Sequence, residues 1–329
     1  MSAIGRSAGL LDDDLPDLTV VERILALKKE RSAVILAHNY QSPEIQFVAD
    51  YVGDTLSLSM LARDAEQPVI VFCGPDFMVE TAKILAPDKT ILYANDKAKC
   101  PMAAMITRED LRTLKKTHPK AKVVGYINTS AECKCEMDIC CASANAVNIV
   151  RSLDAEEVIF VPDQNLGSYV RSMVPEKTIL LWSGFCSVHH MIHKEDVLDL
   201  ARAHPHARII VHPECRPEVV DLADVVLSTD SMIMFAARSG DREFIVVTEL
   251  EVVNRMIEDN ADKEFHAIEK AWCRTQKKVK LENVLKTLET LAPEVSLPRD
   301  VLERARLPIE RMLAVGRADL ATVSVKSDT

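Results

Sequence analysis

The chain has 329 residues, 48 % of them hydrophobic, and carries 40 basic against 50 acidic side chains for a net charge of −10. That is enough apolar material for a large core and too much chain for one typical domain, so two or three are expected. The acidic balance excludes a general nucleic-acid surface, no apolar run is long enough to cross a membrane, and Asp12-Asp13-Asp14 stands where a signal peptide would have its apolar core. Nine cysteines without an export signal point to a reducing, cytoplasmic setting and to thiols with metal or catalytic duties.

Taken in order, the chain repeats with a period near 87 residues. Each third opens with an amphipathic helix ending in basic residues, over 21–31, 108–118 and 194–204. A short strand follows, Val34-Ile-Leu-Ala37, Val123-Val-Gly-Tyr126 and Ile209-Ile-Val211. These strands run into His38-Asn-Tyr40, Asn128-Thr-Ser130 and His212-Pro-Glu214, which we align with one another. An aspartate then leads a second apolar segment closed by a hydroxyl: Asp50 to Thr55, Asp138 to Ser143, Asp224 to Thr229. A helix, a third strand and a further helix follow; the third strands are Val69-Ile-Val-Phe72, Val158-Ile-Phe-Val161 and Phe244-Ile-Val-Val247. A fourth strand then leads to a cysteine: Cys100, Cys186 or Cys273. The steps between these cysteines are 86 and 87 residues.

Apolar β-rich runs alternating with helices predict parallel strands covered on both faces. The expected fold is α/β: three homologous doubly wound α/β/α domains, each with a four-stranded parallel sheet, around a pseudo-threefold axis. The repeats span 19–104, 105–190 and 191–280. Helical segments within 281–318 are expected to pack back on the first repeat, with 1–18 and 322–329 as frayed tails. Ligands in such sheets bind beyond the carboxyl ends of the strands, where the polar residues and the three periodic cysteines all fall.

Three cysteines are one fewer than a closed structural zinc site uses. Three thiolates on a [4Fe–4S] cluster leave one iron without a protein ligand, free to act as a Lewis acid on a substrate oxygen. The plainer alternative, cysteine as a small apolar side chain, suits Cys73 and Cys215. Cys133, Cys135, Cys140 and Cys141 do not read as a second metal site, because adjacent strand residues such as Cys140 and Cys141 face opposite ways.

Thr55, Ser143 and Thr229 stand where strand gives way to helix, and could cap the helix or hold an anion there. His38 and His212 suit acid–base work or donation to a carboxylate. Glu214 is costly among apolar strand ends unless it has a partner or a task. Tyr40 and Tyr126 can donate to developing negative charge or simply pack. His189 and His190 are placed to line the cysteine pocket, whereas His193, His204 and His206 look like surface residues.

The order of these motifs resembles the quinolinate synthase family. The matching stretches are Ala37-His-Asn-Tyr-Gln41, Val52-Gly-Asp-Thr-Leu56, Asp76-Phe-Met-Val-Glu-Thr-Ala82, Lys99-Cys-Pro-Met-Ala103, Tyr126-Ile-Asn-Thr-Ser-Ala-Glu132, Pro162-Asp-Gln-Asn-Leu166, Gly184-Phe-Cys-Ser-Val-His189, Val211-His-Pro-Glu-Cys215 and Leu281-Glu-Asn283. The resemblance implies a [4Fe–4S] cluster on Cys100, Cys186 and Cys273. It implies condensation of iminoaspartate with dihydroxyacetone phosphate to quinolinate for NAD biosynthesis, the iminoaspartate coming from an aspartate oxidase or dehydrogenase. Residue by residue, it implies substrate contacts from His38, Thr55, Tyr126, Asn128, Ser143, His212, Glu214 and Thr229, with Tyr40, Tyr126, His212 and Glu214 as the catalytic set.

Thr55 stands where the family usually has Ser, Ser187 where it has Pro, and Arg274-Thr-Gln-Lys-Lys-Val-Lys280 lacks the Asn-Thr pair expected before Leu281-Glu. Two other readings share the three cysteines: an enzyme of the diphthamide-synthase type, and a non-enzymatic iron–sulfur sensor. The polar set favours a small dicarboxylate, and no output module is evident for a sensor.

Overall fold

The computed structural model describes residues 18–317, so the tail expectations lie outside the described residues. The first unit contains α1 (Leu18–Glu30), β1 (Ala33–His38), α2 (Pro43–Val48), β2 (Tyr51–Gly53), α3 (Thr55–Asp64), β3 (Val69–Cys73), α4 (Asp76–Leu85) and β4 (Thr90–Tyr93). The second contains α5 (Arg108–Thr117), β5 (Lys122–Tyr126), α6 (Ala131–Lys134), β6 (Ile139–Cys141), α7 (Ala146–Ser152), β7 (Glu157–Val161), α8 (Gln164–Met173) and β8 (Thr178–Leu181). The third contains α9 (Lys194–Ala203), β9 (Arg208–Val211), α10 (Pro217–Val220), β10 (Val225–Val226), α11 (Thr229–Arg238), β11 (Glu243–Val247), α12 (Leu250–Asp259) and β12 (Glu264–Ala267). Two helices follow, α13 (Leu281–Thr290) and α14 (Arg299–Val315).

Each unit forms its own four-stranded, all-parallel sheet in the order second, first, third, fourth. The fold is therefore the expected three-layer α/β arrangement, built three times. Alternation along each strand feeds two cores. Val34, Leu36, Ile70 and Phe72 enter one apolar cluster, while Ala33, Ile35, Val69 and Val71 enter another on the opposite face. The third sheet divides likewise, with Ile210, Phe244 and Val246 on one side and Val211, Ile245 and Val247 on the other.

The aspartate ahead of each second strand sets the register. Asp50 Oδ2 accepts from Ile35 N–H at 2.8 Å, Asp138 Oδ2 from Val123 N–H at 2.8 Å, and Asp224 Oδ2 from Ile209 N–H at 2.9 Å. The backbone N–H of each aspartate returns to the carbonyl of the same residue. An edge strand of two or three residues has few ladder bonds, and this bracket pins it in place.

The short helices α2, α6 and α10 are not evident as periodic patterns, being a single turn or slightly more. Helix α14 corrects a second expectation. Helix α13 packs on α1 and β3 of the first unit, whereas α14 lies mainly over α6 and β6 of the second and touches α4 of the first. Its stripe Val301, Ala305, Ile309 and Met312 shares a core with Cys133, Ile139 and Cys140. The second unit's sheet leaves an apolar face there, and the stripe covers it. No helix among the described residues is long and apolar enough to cross a membrane.

Candidate active site

The register defines which residues are equivalent. Leu36 pairs with Tyr51, Val124 with Ile139, and Ile210 with Val225. Counting onward from these, His38, Tyr126 and His212 occupy one position at the strand ends; Tyr40, Asn128 and Glu214 occupy the next tier; Thr55, Ser143 and Thr229 the third. This corrects the alignment made from sequence, which began the second unit's segment at Asn128. Strand β5 ends at Tyr126 just as β1 ends at His38. All nine residues, with Cys100, Cys186 and Cys273, line one cavity of about 540 Å³.

The three cysteines differ from the other six in that they line this cavity, and backbone N–H groups meet their sulfurs. Cys100 Sγ accepts from the backbone N–H groups of Met102 and Ala103, Cys186 Sγ from His189, and Cys273 Sγ from Thr275 and Gln276. Away from the cavity, Cys133, Cys135 and Cys215 donate S–H to the carbonyls of Ile106, Ala131 and Val247, and Cys215 also takes the His212 backbone N–H. Accepting sulfurs are the form that a metal ligand takes. Burial pushes the thiols up, Cys100 to about 12 and Cys273 to about 11, and the thiols raise one another further. A bound cation would reverse that cost, since a coordinated thiol loses its proton. The donor set therefore fits a metal group with three thiolate ligands.

A carboxylate stands at the start of each unit's last helix, and in the first and third units it holds the backbone of the cysteine. Asp76 Oδ1 accepts from Cys100 N–H at 3.2 Å and Glu249 Oε1 from Cys273 N–H at 3.0 Å, and Asp163 lies in reach of Cys186 N–H. Sequence reasoning missed this set, although 76, 163 and 249 keep the 87-residue period.

At the first tier, two histidines are held in one tautomer. His38 Nδ1 accepts the backbone N–H of Tyr40 at 3.2 Å and His212 Nδ1 that of Glu214 at 3.4 Å, which leaves Nε2 to carry the proton. Burial lowers His38 to about 4 and His212 to about 3, so both rings are neutral N–H donors at neutral pH.

Glu214 has three polar neighbours. His189 Nδ1 lies 2.7 Å from its Oε2, with His189 Nε2 3.1 Å from Thr248 Oγ1, and the His189 ring stacks on His212 at 4.4 Å. The Tyr126 hydroxyl also donates to Glu214. Burial alone would raise this carboxyl; the attraction of His189 and these hydrogen bonds outweigh it and hold Glu214 well below the usual range. Buried Asp163 moves the other way, raised by burial and by the charge of Glu214. The surroundings therefore push the two carboxyls apart, Glu214 down and Asp163 up. Burial and Glu214 also raise Tyr40 and Tyr126, which keep their phenolic protons.

The hydroxyl tier is not a set of helix caps. Asp54, which precedes Thr55, caps α3 by accepting from Ser57 N–H at 2.9 Å, and Asn145 rather than Ser143 stands at the start of α7. Thr229 is the first residue of α11, and its Oγ1 accepts from Asn39 Nδ2 at 3.0 Å. The hydroxyls are thus free to face the cavity. Behind them, Asn39, Asp54 and Asp230 join the first unit to the third: Asp230 Oδ1 accepts from Asn39 Nδ2 at 2.7 Å and from Asp54 N–H at 2.9 Å. Arg317 Nη2, beyond α14, donates to Asp54 Oδ2 at 2.7 Å and ties the C-terminal segment to this junction.

Residues 22–314 match the family model described as "Quinolinate synthetase A protein". The chain belongs to the quinolinate synthase family. It is 50 % identical over 297 residues to the quinolinate synthase of Methanosarcina barkeri, covering 90 % of this chain and 97 % of that one. It is 47 % identical over 296 residues to that of Thermodesulfovibrio yellowstonii, covering 90 % and 98 %, and 43 % identical over 300 residues to that of Clostridium perfringens, covering 91 % and 100 %. Membership of this family makes the chain an enzyme of quinolinate formation and leaves the diphthamide-synthase and sensor readings unsupported.

Proposed function

We propose that the chain condenses iminoaspartate with dihydroxyacetone phosphate to quinolinate, releasing one phosphate and two waters, with a [4Fe–4S] cluster on Cys100, Cys186 and Cys273. We take 19–104, 105–190 and 191–280 as its three domains. One observation carries the reading: three thiols, one from each unit, line a single cavity together with the ionised carboxylate of Glu214 and the neutral rings of His38 and His212. When bound, the cluster supplies an iron without a protein ligand as a Lewis acid for a substrate oxygen.

The chain's own groups then divide the work. His38 and His212 offer neutral N–H donors to the carboxylates of iminoaspartate, binding them without the cost of a buried positive charge. Thr55, Ser143 and Thr229, with the N-termini of α3 and α11 beside them, suit the phosphate or a second carboxylate. Glu214 is ionised and takes a proton from carbon or nitrogen as the condensed chain tautomerises. Tyr126, already bonded to Glu214, keeps that carboxylate oriented. Tyr40 stays a protonated phenol and donates to an oxygen on which negative charge grows. Asn128 can bond substrate from either end of its amide.

Anaerobically purified protein, given iminoaspartate and dihydroxyacetone phosphate, should form quinolinate and carry about four irons and four sulfides per chain. Cys100→Ala, Cys186→Ala and Cys273→Ala should each lose the cluster's visible absorbance. A Cys100→Ala protein that keeps a full cluster while Cys133→Ala or Cys135→Ala loses it would sink the ligand assignment. A fully loaded protein without quinolinate formation would sink the reaction.

A further inference from the structure

Gln276 lies in the stretch that departs from the family pattern, three residues after Cys273. It is buried, as is Lys277, at the start of a single turn over Gln276–Lys278. Gln276 Oε1 accepts from Gln41 Nε2 at 2.5 Å. Gln276 Nε2 faces His38 Nδ1 at 3.0 Å, and the amide must present its N–H there because Nδ1 already acts as an acceptor. The same Nδ1 receives the Tyr40 backbone N–H, which can only donate. A ring nitrogen that takes two donors carries no proton. Lys277 steadies the second donor: its Nζ bonds the Tyr40 carbonyl at 2.5 Å and Glu249 Oε1 at 2.9 Å. His38 Nε2 has no hydrogen-bond partner among the described residues, and the ring lines the cavity.

The preceding unit supplies an independent parallel. His189 also stands three residues after its cysteine, Cys186, and gives its backbone N–H to that sulfur, as Gln276 does for Cys273. Its side chain also reaches forward to the next unit's strand end, bonding Glu214 and stacking on His212. The third residue after a cysteine thus organises the neighbouring unit's corner twice over. At the remaining junction that residue is Ala103, whose methyl group cannot form such a bond.

We propose that Gln276 is a positioning residue that locks His38 as the Nε2–H tautomer, so that the first unit presents a neutral N–H to a carboxylate of a small dicarboxylate. The identity of that dicarboxylate rests on the quinolinate synthase reading; the tautomer does not.

The test uses holoenzyme with ¹⁵N-labelled histidine, the His38 signals being identified by their loss in His38→Asn. Wild type should show Nε2 protonated and Nδ1 bare. Gln276→Glu replaces the donor by an acceptor and should move the proton to Nδ1. L-Malate, titrated calorimetrically, should then bind roughly tenfold more weakly to this variant at pH 8 and recover as the pH falls and both ring nitrogens become protonated. The charged or titratable groups facing His38 are Asp54, Glu214, His212, Tyr40 and Lys277; they are unchanged in the variant. Gln276→Leu keeps the volume without the bond. It should weaken malate about threefold, and this loss should vanish in a His38→Asn background. A protonated Nδ1 in wild type would overturn the proposal. So would a Gln276→Leu loss that persists in full without His38. Wild-type quinolinate formation, measured alongside, fails only if the functional reading fails.

Discussion

At equivalent register the first unit places His38, Tyr40 and Thr55 on the cavity, and the third places His212, Glu214 and Thr229. The backbones match, down to the N–H two residues on that fixes each histidine's tautomer. The chemistry does not. The first corner ends in a phenol that keeps its proton, the third in a carboxylate that has lost it. The sheet decides where a side chain stands, and the neighbours decide its charge. Glu214 is held ionised by His189 from the second unit, and His38 is oriented by Gln276 from the third.

The largest effect that would test this pairing is the response to acid. Both histidines are neutral when folded, with values lowered from 6.5 to about 4 for His38 and about 3 for His212. Between pH 6.5 and 4 the unfolded chain binds protons that the folded chain refuses, so stability falls as pH falls through that window. Each ring should remove roughly 3 kcal/mol by pH 4, at about 1.4 kcal/mol per unit. His38→Asn and His212→Asn should each flatten the fall of Tm with pH. Unchanged slopes would mean that the rings are protonated in the folded protein.

Next in size is the carboxylate itself. Glu214→Gln keeps the shape and removes the base, so turnover should drop by at least about a hundredfold, near 3 kcal/mol of barrier, with iron content unchanged. Near-normal steady-state kinetics with a full cluster would remove Glu214 from the mechanism. The equivalent change in the first corner, Tyr40→Phe, should cost less, roughly tenfold in kcat, because one donor hydrogen bond is lost and no proton acceptor. A Tyr40→Phe defect larger than that of Glu214→Gln would reverse the roles assigned to the two corners.

The smallest effect separates the hydroxyls. Thr229 Oγ1 accepts from buried Asn39 Nδ2, whereas among the described residues Thr55 Oγ1 has only a 3.8 Å contact to Met78 Sδ. Thr229→Val should therefore lower stability by about 1 kcal/mol and Thr55→Val by a few tenths. Equal melting temperatures for the two variants would show that the Asn39 bond contributes nothing.

The repeat and its parallel sheets were legible in the residues because they rest on local pattern. Apolar runs alternate with helices, and Asp50, Asp138 and Asp224 recur at the period along with the hydroxyls and the cysteines. The residues chosen from sequence as ligands and substrate contacts line one cavity, because ligands collect at the carboxyl ends of parallel strands, whereas His189 and His190, expected there too, stand behind it against Glu214 and Phe185. The placement of Tyr126 beside the histidines required the strand register, which the sequence alone left two residues out of step. The helix-capping role offered for Thr55 failed for a similar reason, since Asp54 was one residue nearer the turn.

What the sequence determined by itself is thus the plainest part of what repeats along the chain: the three units, the order of their strands, the thiols and the hydroxyls. What only the tertiary structure decided is everything made between units. Gln276 and His38 are 238 residues apart, and Asn39 and Thr229 190. Helix α14 covers the second unit although it follows the third. Such contacts cannot be read from the repeat itself, because the partner of each lies in another unit and the residue types differ from junction to junction.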